Sequence, residues 1–417
     1  MVTECVVVGA GPAGLAASVA LSERGIDHLV VERARVGETW RTQRWDSLHL
    51  NHLGFMNTML GEQEPNSYLT AGEVVERLEA LASKTPLRTA VTVHGLTRVG
   101  EHWIVGTSDG PIEARTVVVA SGGENVPRTP SWAARLPERI VQCHAASYTN
   151  SGELPEGAVL VVGSAQSGMQ ITEDLLAAGR RVWLATSPVG RAPARYRGKG
   201  IYQWLDEAGF FEHRPEDLPD PSVIRAVPPL LGPGGRDISL QLLARAGANL
   251  AGRLVAVRDE TLTFDDSLAA NVAYGDKFVA DLRRALDAYI TDHDVTAPGP
   301  EPDTGSQTVV LNAPRQLSLG HADIGSVIWG TGYTGDFRWL GPDLIDSEGI
   351  ALRRGAASPA PGIWFVGLRW LIRRTSGNFI GFPRDAAVVA DSVHTYLALS
   401  GSRPAHQTPT RADDLRF

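Results

Sequence analysis

The sequence predicts an α/β protein made of two strand–turn–helix–strand units, one inserted within the other. Three observations carry that expectation. Two small-residue turns, Gly9-Ala10-Gly11-Pro12-Ala13-Gly14 and Gly163-Ser164-Ala165-Gln166-Ser167-Gly168, stand 154 positions apart, each between a short apolar run and a helical run. Each is followed much later by another apolar run that ends in small residues, Val119-Ala120-Ser121-Gly122 and Trp329-Gly330-Thr331-Gly332. Proline- and glycine-rich connectors at 127–137 and 297–306 flank the second unit.

In the first unit, Thr3 to Val8 reads as a buried strand and Leu15 to Arg24 as a helix. A second strand, His28 to Val31, ends on Glu32, 23 positions after Gly9. This is the spacing of a dinucleotide-binding βαβ unit. Gly9 allows the tight turn, Gly11 lets the backbone approach a pyrophosphate, and Gly14 lets helix and strand pack closely. Pro12 and Ala13 open the helix, whose unpaired N–H groups and positive dipole end face the phosphates. Glu32 is placed to accept ribose hydroxyls. A glycine turn alone is weak evidence; the strand before it, the helix after it and the acid make it a nucleotide site. Gly37 suggests a loop, with Arg33, Trp40 and Arg41 as candidate cofactor contacts. A packed aromatic is the plain alternative for Trp40. The segment from Trp45 to His52 has no clean period and suits a loop lining a site.

Leu69 to Ser83 reads as a helix, with Ala71, Val74, Val75, Leu78 and Leu81 on its apolar face and Thr70 as N-cap. Val91–Val93, Trp103–Val105 and Pro111–Ala114 read as a small antiparallel excursion with turns at 99–101 and 108–110. Thr116 to Ala120 reads as a further buried strand. Val91, Ser121 and Gly122 lie at ends of these runs, on the side of a bound nucleotide.

The second unit has strands at Ala158–Val162 and Arg181–Ala185 and a helix at Met169–Ala178. Ala165 stands where the second glycine of the fingerprint usually is. The second strand ends Ala185-Thr186-Ser187, with no acid for a ribose 2′-hydroxyl, and Arg180, Arg181, Arg191, Arg195, Arg197 and Lys199 lie nearby in sequence. That pattern favours a 2′-phosphate, hence NADPH over NADH; a solvated basic face is the alternative. From 201 to 312 the pattern is irregular apart from a helix at Asp276–Ile290, with Phe278, Leu282, Leu286 and Tyr289 on one stripe. An insertion there is a natural place for substrate specificity. Strands follow at Asp323–Trp329 and Ile363–Gly367. Pro383 and Asp385 suit the start and first turn of a helix at Ala386–Leu399. Two units imply two nucleotides, and the economical pair is FAD on the first and NADPH on the second. The expected layout is two Rossmann-like domains: an FAD domain at 1–150 and 320–400, an NADPH domain at 155–315 with a helical insertion at 195–300, and a tail at 402–417.

Composition narrows the function. The 417 residues hold 39 Lys and Arg against 47 Asp and Glu, a net charge of −8. That argues against nucleic acid and against an anionic membrane surface. Cys5 and Cys143 form no C-x-x-C pair, so no disulfide framework, structural zinc or redox dithiol is expected, and the chain fits a reducing cytoplasm. The uncharged stretch from Cys5 to Leu21 is broken by Gly9, Gly11, Pro12 and Gly14, so it is not expected to span a membrane, and no basic region precedes it as in a signal peptide. No metal ligand set is expected, and the composition leaves a homodimer open.

These motifs resemble the flavin-containing monooxygenases, including the plant YUCCA-type enzymes, and bacterial flavoproteins labelled as cation-transport oxidoreductases. The resemblance covers nearly the whole chain. It is anchored by both small-residue turns, by Gly37-Glu38-Thr39-Trp40-Arg41, by Arg195-Tyr196-Arg197-Gly198 and by Gly330-Thr331-Gly332-Tyr333. The family's linker motif F-x-G-x-x-x-H-x-x-x-[FY] is half present. His144 and Tyr148 match, but Glu138 and Ile140 replace its Phe and Gly, and Tyr148-Thr149 stands where Baeyer–Villiger enzymes carry Trp-Pro. The resemblance implies an FAD- and NADPH-dependent monooxygenase that passes one oxygen atom of O2 to a small-molecule nucleophile through a C4a-(hydro)peroxyflavin. Amine or sulfide oxygenation, or a related oxidation, is the expected chemistry. It further implies that Asn51 supports that adduct, a surface-turn asparagine being the alternative. Gly9, Gly11, Pro12, Ala13, Gly14, Glu32, Arg33, Trp40, Arg41, Val91, Ser121, Gly122 and Asp385 would serve FAD. Gly163, Ser164, Gln166, Ser167, Gly168, Arg191 and Gly332 would serve NADPH. The competing readings are an NADPH-dependent flavin reductase without oxygen insertion and a non-catalytic nucleotide sensor.

Overall fold

A computed structural model describes residues 2–61, 64 and 66–401. The expected tail at 402–417 lies outside the described residues. The first unit forms from β1 (Thr3–Val8), α1 (Pro12–Glu23), β2 (His28–Val31), α2 (Glu38–Thr42), α3 (Ala71–Ala82), β3 (Leu87–Arg88), β4 (Val93–Val99), β5 (His102–Thr107) and β6 (Ile112–Val119). A short strand β7 (Val126–Pro127) follows. The second unit contains β8 (Val141–His144), β9 (Ala158–Val162), α4 (Gln166–Ala177) and β10 (Val182–Ala185). Then come the hairpin β11 (Arg195–Tyr196) and β12 (Lys199–Gly200), α5 (Ile201–Glu207), α6 (Leu240–Arg245) and β13 (Asn249–Ala251). Next are β14 (Leu254–Arg258), β15 (Thr261–Phe264), the long α7 (Leu268–Asp292), β16 (Gln316–Ser318) and β17 (Ile324–Trp329). The last elements are β18 (Tyr333–Thr334), β19 (Ile363–Phe365) and α8 (Gly381–Gly401).

The first sheet runs β3-β2-β1-β6-β5-β4, with β19 also on β6; the second runs β13-β10-β9-β17-β8. In both, the strand of the glycine turn sits centrally between parallel neighbours: β1 pairs β2 and β6, and β9 pairs β10 and β17. Central parallel strands are covered on both faces, which explains their unbroken apolar runs. Val6, Val7, Val159, Leu160 and Val161 are fully buried. The α3 helix starts on a capping box, with the Thr70 hydroxyl accepting from the Glu73 N–H and the Glu73 carboxylate accepting from the Thr70 N–H.

The structure corrects several sequence expectations. An exit near 150 and a return near 320 would put Val141–His144 and Ile324–Trp329 in the first unit, but both strands pair in the second sheet. The chain rejoins the first sheet only at Ile363, where β19 pairs β6. The run 111–114 and the strand 116–120 are one strand, β6, whose outer half pairs antiparallel with β5 and whose inner half pairs parallel with β1. The helix expected at 386–399 begins at Gly381, so Asp385 lies a full turn inside it rather than in its first turn. The helix expected at 276–290 starts eight residues earlier, at Leu268. Its early turns are polar and small, and tertiary packing of Leu268, Asn271 and Gly275 extends it past what periodicity alone reveals.

Candidate active site

Both small-residue turns have the same stereochemistry. Gly9 and Gly163 have φ of +111° and +107°, and an added Cβ would lie 2.6 Å from the Ala120 carbonyl and 2.4 Å from the Gly330 carbonyl. The small residues after β6 and β17 are thus the counterparts against which each turn closes. At Gly14 and Gly168 an added Cβ would meet the Gly9 and Gly163 carbonyl oxygens at 1.8 and 1.9 Å. These two glycines are required by helix–strand contact. Gly11 differs: its φ is −76°, open to any residue, and a Cβ there would touch nothing within 4 Å. Ala165 holds the same backbone, φ −76° and ψ −176°, against −76° and −177° at Gly11. The space above Gly11 is the cradle a phosphate needs, and α1 and α4 both start without a side-chain cap.

Some of the buried polar groups left without partners lie at the C-terminal end of β6 and at the head of α8. The Ser121 hydroxyl, the Asn378 Oδ1 and both Asp385 carboxylate oxygens are buried with no hydrogen-bond partner among the described residues. Buried polar groups are normally paired, so such a set is a mark of a ligand site. Asp385 is 1% exposed, and burial pushes its carboxyl up to about 6 against the opposing pull of Ser376, Arg373 and Arg384. Arg373 stands 3.6 Å away, outside hydrogen-bond distance. The Asn378 carbonyl accepts from the Gly381 and Phe382 N–H groups and so fixes the start of α8.

The other residues expected around the first turn are placed as follows. Glu32 accepts from the Ala10 N–H at 2.8 Å and the Ala34 N–H at 2.9 Å, one on each oxygen, so it ties the glycine turn to the end of β2. Val91 is buried and donates its N–H to the Glu32 carbonyl. Pro12 opens α1, Ala13 is buried beneath Gly367, and Gly122 has φ +82° with open space beside it. Gly37 caps α2 in the left-handed region, φ +63°. Trp40 packs against Phe379 at 5.5 Å between ring centres, lies under the Arg44 guanidinium at 4.6 Å and touches the cores of both units. Arg41 pairs with Glu79, and Arg33 is exposed.

Around the second turn, the Ser164 hydroxyl bridges to the Ser187 backbone, and the Gln166 amide clamps the Leu231 backbone through both of its ends. Ser167 is half-buried on the first turn of α4. Gly332 takes φ +80°, and its carbonyl accepts from His144 Nε2 at 3.0 Å while Nδ1 accepts from the Ala146 N–H. Tyr148 donates to Asp174 at 2.6 Å. The two matching linker-motif residues therefore act as fasteners.

The six basic residues do not form a phosphate cluster. Arg180 donates to the Ser151, Leu154, Pro155 and Gly157 carbonyls, Arg181 pairs with Asp323, Arg195 donates to the Gly198 carbonyl, Arg197 pairs with Asp287 and Lys199 with Glu207. Arg191, expected at the coenzyme, is 4% exposed and locked between Asp276 and Asp303. Burial would raise Asp303, but the Arg191 and Ser306 side chains and the Gly305 N–H outweigh it and hold it at about 2. The run is consecutive in sequence but is dispersed by the fold onto separate carboxylates and carbonyls.

Asn51 lies where the two units meet. Its Oδ1 accepts from Gln170 Nε2 at 2.8 Å, and Gln170 is buried on α4. Sequence reasoning missed Gln170, Asn378 and Arg374. A glutamine on the buried face of an amphipathic helix was the available signal for the first; the others sit in an aperiodic loop that offered none. Cys5 and Cys143 lie on strands of different sheets, and burial pushes their thiols up to about 12 and about 11, so neither is a thiolate at neutral pH. Among the described residues no His, Cys, Asp and Glu group could hold a metal, and no helix is long and apolar enough to cross a membrane.

Comparison with known proteins agrees with this architecture. Residues 6–197 match the family described as pyridine nucleotide-disulphide oxidoreductase. An uncharacterized CzcO-like oxidoreductase of Geobacillus kaustophilus is 26% identical over 94% of this chain and 98% of its own length. The indole-3-pyruvate monooxygenase YUCCA1 of rice is 31% identical over 42% of this chain and 46% of its own. The solved flavin-containing monooxygenase of Stenotrophomonas maltophilia shares the fold, with a TM-score of 0.66 over 95% of this chain and 100% of its own at 19% identity. With its two glycine-turn units, the chain has the fold of these flavin monooxygenases and is similar in sequence to oxidoreductases of that type.

Proposed function

We propose that the chain is an FAD- and NADPH-dependent monooxygenase that transfers one oxygen atom of O2 to a small-molecule substrate. FAD is held by the first unit, residues 1–127 with 333–401, and NADPH by the second, 141–329. The observation that carries the reading is the pairing of an open Gly11 cradle with orphaned polar groups at Ser121, Asn378 and Asp385. A dinucleotide lying across the first sheet would use both ends of that groove. FAD bound there would supply the redox and oxygen-activating chemistry.

The chain's own residues place and protect it. The Gly11–Gly14 helix start would hold the pyrophosphate, Glu32 would serve the adenosine ribose, and Ser121, Asn378 and Asp385 would give directed polar contacts. The positive end of α8, at Gly381, would favour negative charge on a group bound beside it. Trp40 and Phe379 cover the junction of the units and keep water away. Asn51, oriented by Gln170, would offer its amide N–H groups as hydrogen-bond donors at the junction of the units. Thr186 and Ser187, just after β10, put no carboxylate where NADH-binding units carry an acid. The inert, separated thiols speak against dithiol chemistry. The test is incubation of FAD-reconstituted protein with NADPH, isotopic dioxygen and a metabolite panel. Label in a product supports the reading. NADPH oxidation with all oxygen recovered as peroxide, whatever substrate is supplied, favours a reductase.

A further inference from the structure

We propose that Arg374 is the specificity-determining residue of the substrate site, and that it selects an aryl-bearing organic anion by pairing with its carboxylate. The inference rests on the monooxygenase reading for what happens to that molecule, but not for its binding.

The stretch from β19 into the first turn of α8 carries four arginines, Arg369, Arg373, Arg374 and Arg384, and three of them reach a carboxylate or carbonyl acceptor. Arg373 and Arg384 both pair with Glu212, and Arg369 donates to the Ala226 carbonyl at 3.0 Å. Arg374 is the exception. Its guanidinium has no carboxylate or carbonyl acceptor among the described residues, and its Nε is buried without a partner. What holds it is a pair of rings, Phe210 at 3.8 Å and Trp370 at 4.6 Å from the guanidinium carbon. Ring faces attract the charge but leave the planar fork of N–H donors unused. Burial also pulls this arginine down to about 10, a sign that its charge lacks a counter-ion. A guanidinium fork matches a carboxylate through two parallel hydrogen bonds.

Its location suits a substrate contact. Arg374 belongs to the loop that leads past Asn378 into α8, while Phe210 belongs to the insertion between β10 and β13 of the second sheet. The Arg374 N–H donates to the His213 carbonyl at 2.8 Å, so the insertion holds the loop in place. From Phe210 a line of rings runs through Phe211 and Tyr202 to His52, at centre distances of 6.2, 6.1 and 5.4 Å. His52 adjoins Asn51 in sequence, and burial lowers it to about 4, so it brings no competing positive charge at neutral pH. An anchoring cation at one end and an aromatic wall leading toward Asn51 describe a site for a flat ring with an acidic side arm.

Calorimetric titration of the oxidised FAD-loaded protein tests this without turnover. The probes are phenylacetate, 3-phenylpropanoate and 2-naphthylacetate, each beside its primary amide. At least one carboxylate should bind roughly 10-fold or more tighter than its amide, the scale of a charge-assisted pair. Arg374→Gln should abolish that preference, and Arg374→Lys, which keeps charge but not the fork, should retain part of it. Equal binding of acid and amide, a preference that survives Arg374→Gln, or no binding of any probe at millimolar concentration would overturn the proposal. So would a parallel loss of NADP⁺ affinity in Arg374→Gln, which would assign the guanidinium to a nucleotide phosphate. Should the glutamine variant lose its flavin, the acid–amide comparison in the unmodified protein and the lysine variant still decide. A carboxylate preference without labelled product would retain this site while removing the oxygen-insertion reading.

Discussion

Replacing Asp385 by asparagine should stabilise the flavin-free protein at neutral pH. The carboxylate is 1% exposed, makes no hydrogen bond among the described residues, and titrates at about 6 because burial disfavours its charge. In the unfolded chain an aspartate titrates near about 4. A carboxyl raised in the folded state keeps its full contribution to stability below its unfolded pKa and loses it as pH climbs through the folded value. Stability should therefore fall between pH about 4 and about 6 and be level in this respect above that. The loss is on the order of 3 kcal/mol at about 1.36 kcal/mol for each pH unit between the two values. An asparagine side chain would fill nearly the same volume without the charge. Urea denaturation of flavin-free wild type and Asp385→Asn from pH about 4.5 to about 8 measures the effect. We expect the curves to meet near the acidic end and to separate by roughly 2–3 kcal/mol above pH about 7. If FAD supplies the missing partners, the advantage of the asparagine variant should shrink or reverse in the loaded protein. A wild-type profile flat across the acidic range, or a variant less stable than wild type without flavin at neutral pH, would refute the reasoning.

Further outcomes are expected. Asn51→Ala should keep NADPH oxidation but release more hydrogen peroxide per turnover, read by a peroxide assay, and unchanged coupling would remove Asn51 from the mechanism. Gly11→Ala should fold normally, since its backbone suits alanine and its Cβ meets nothing, yet purify with less FAD; Gly14→Ala should cost more than about 2 kcal/mol in thermal melts because its Cβ runs into the Gly9 carbonyl. Arg191→Ala should destabilise the second unit by about 3–5 kcal/mol, because two carboxylates lose their buried partner. That contribution should fade in unmodified protein as pH falls through about 4 toward about 2, since the Asp303 pKa is depressed. Finally, Cys5 and Cys143 should resist alkylation at neutral pH until the chain is unfolded, as followed by mass spectrometry.

Much of this was legible in the chain because it depends on short-range constraints. A strand buried on both faces must be apolar throughout, a tight turn at positive φ must be glycine, and a helix packed on a strand must lack a side chain at contact. Those demands fall on Gly9, Gly14, Gly163 and Gly168, within a few residues of each other, so reading them requires no knowledge of the rest of the molecule. The same applies to the Thr70–Glu73 cap. The candidate site was less legible. Gly11 and Ala165 share one backbone, so nothing local distinguishes a residue shaped by the fold from one shaped by a ligand.

By itself the sequence determined the two nucleotide-binding units, their duplicated closing turns and the absence of a dithiol. What tertiary structure alone decided was which charges are spent and which are left over. The basic residues at 180–199 read as one cluster, yet the fold sends them to Asp276, Asp287, Asp303, Asp323, Glu207 and a set of carbonyls. Arg374 and Asp385 look ordinary in the chain and emerge with buried polar atoms that have no hydrogen-bond partner among the described residues. The reason is physical. Electrostatic partners meet across the whole molecule, and burial, which sets the cost of leaving a charge alone, exists only once the chain has folded.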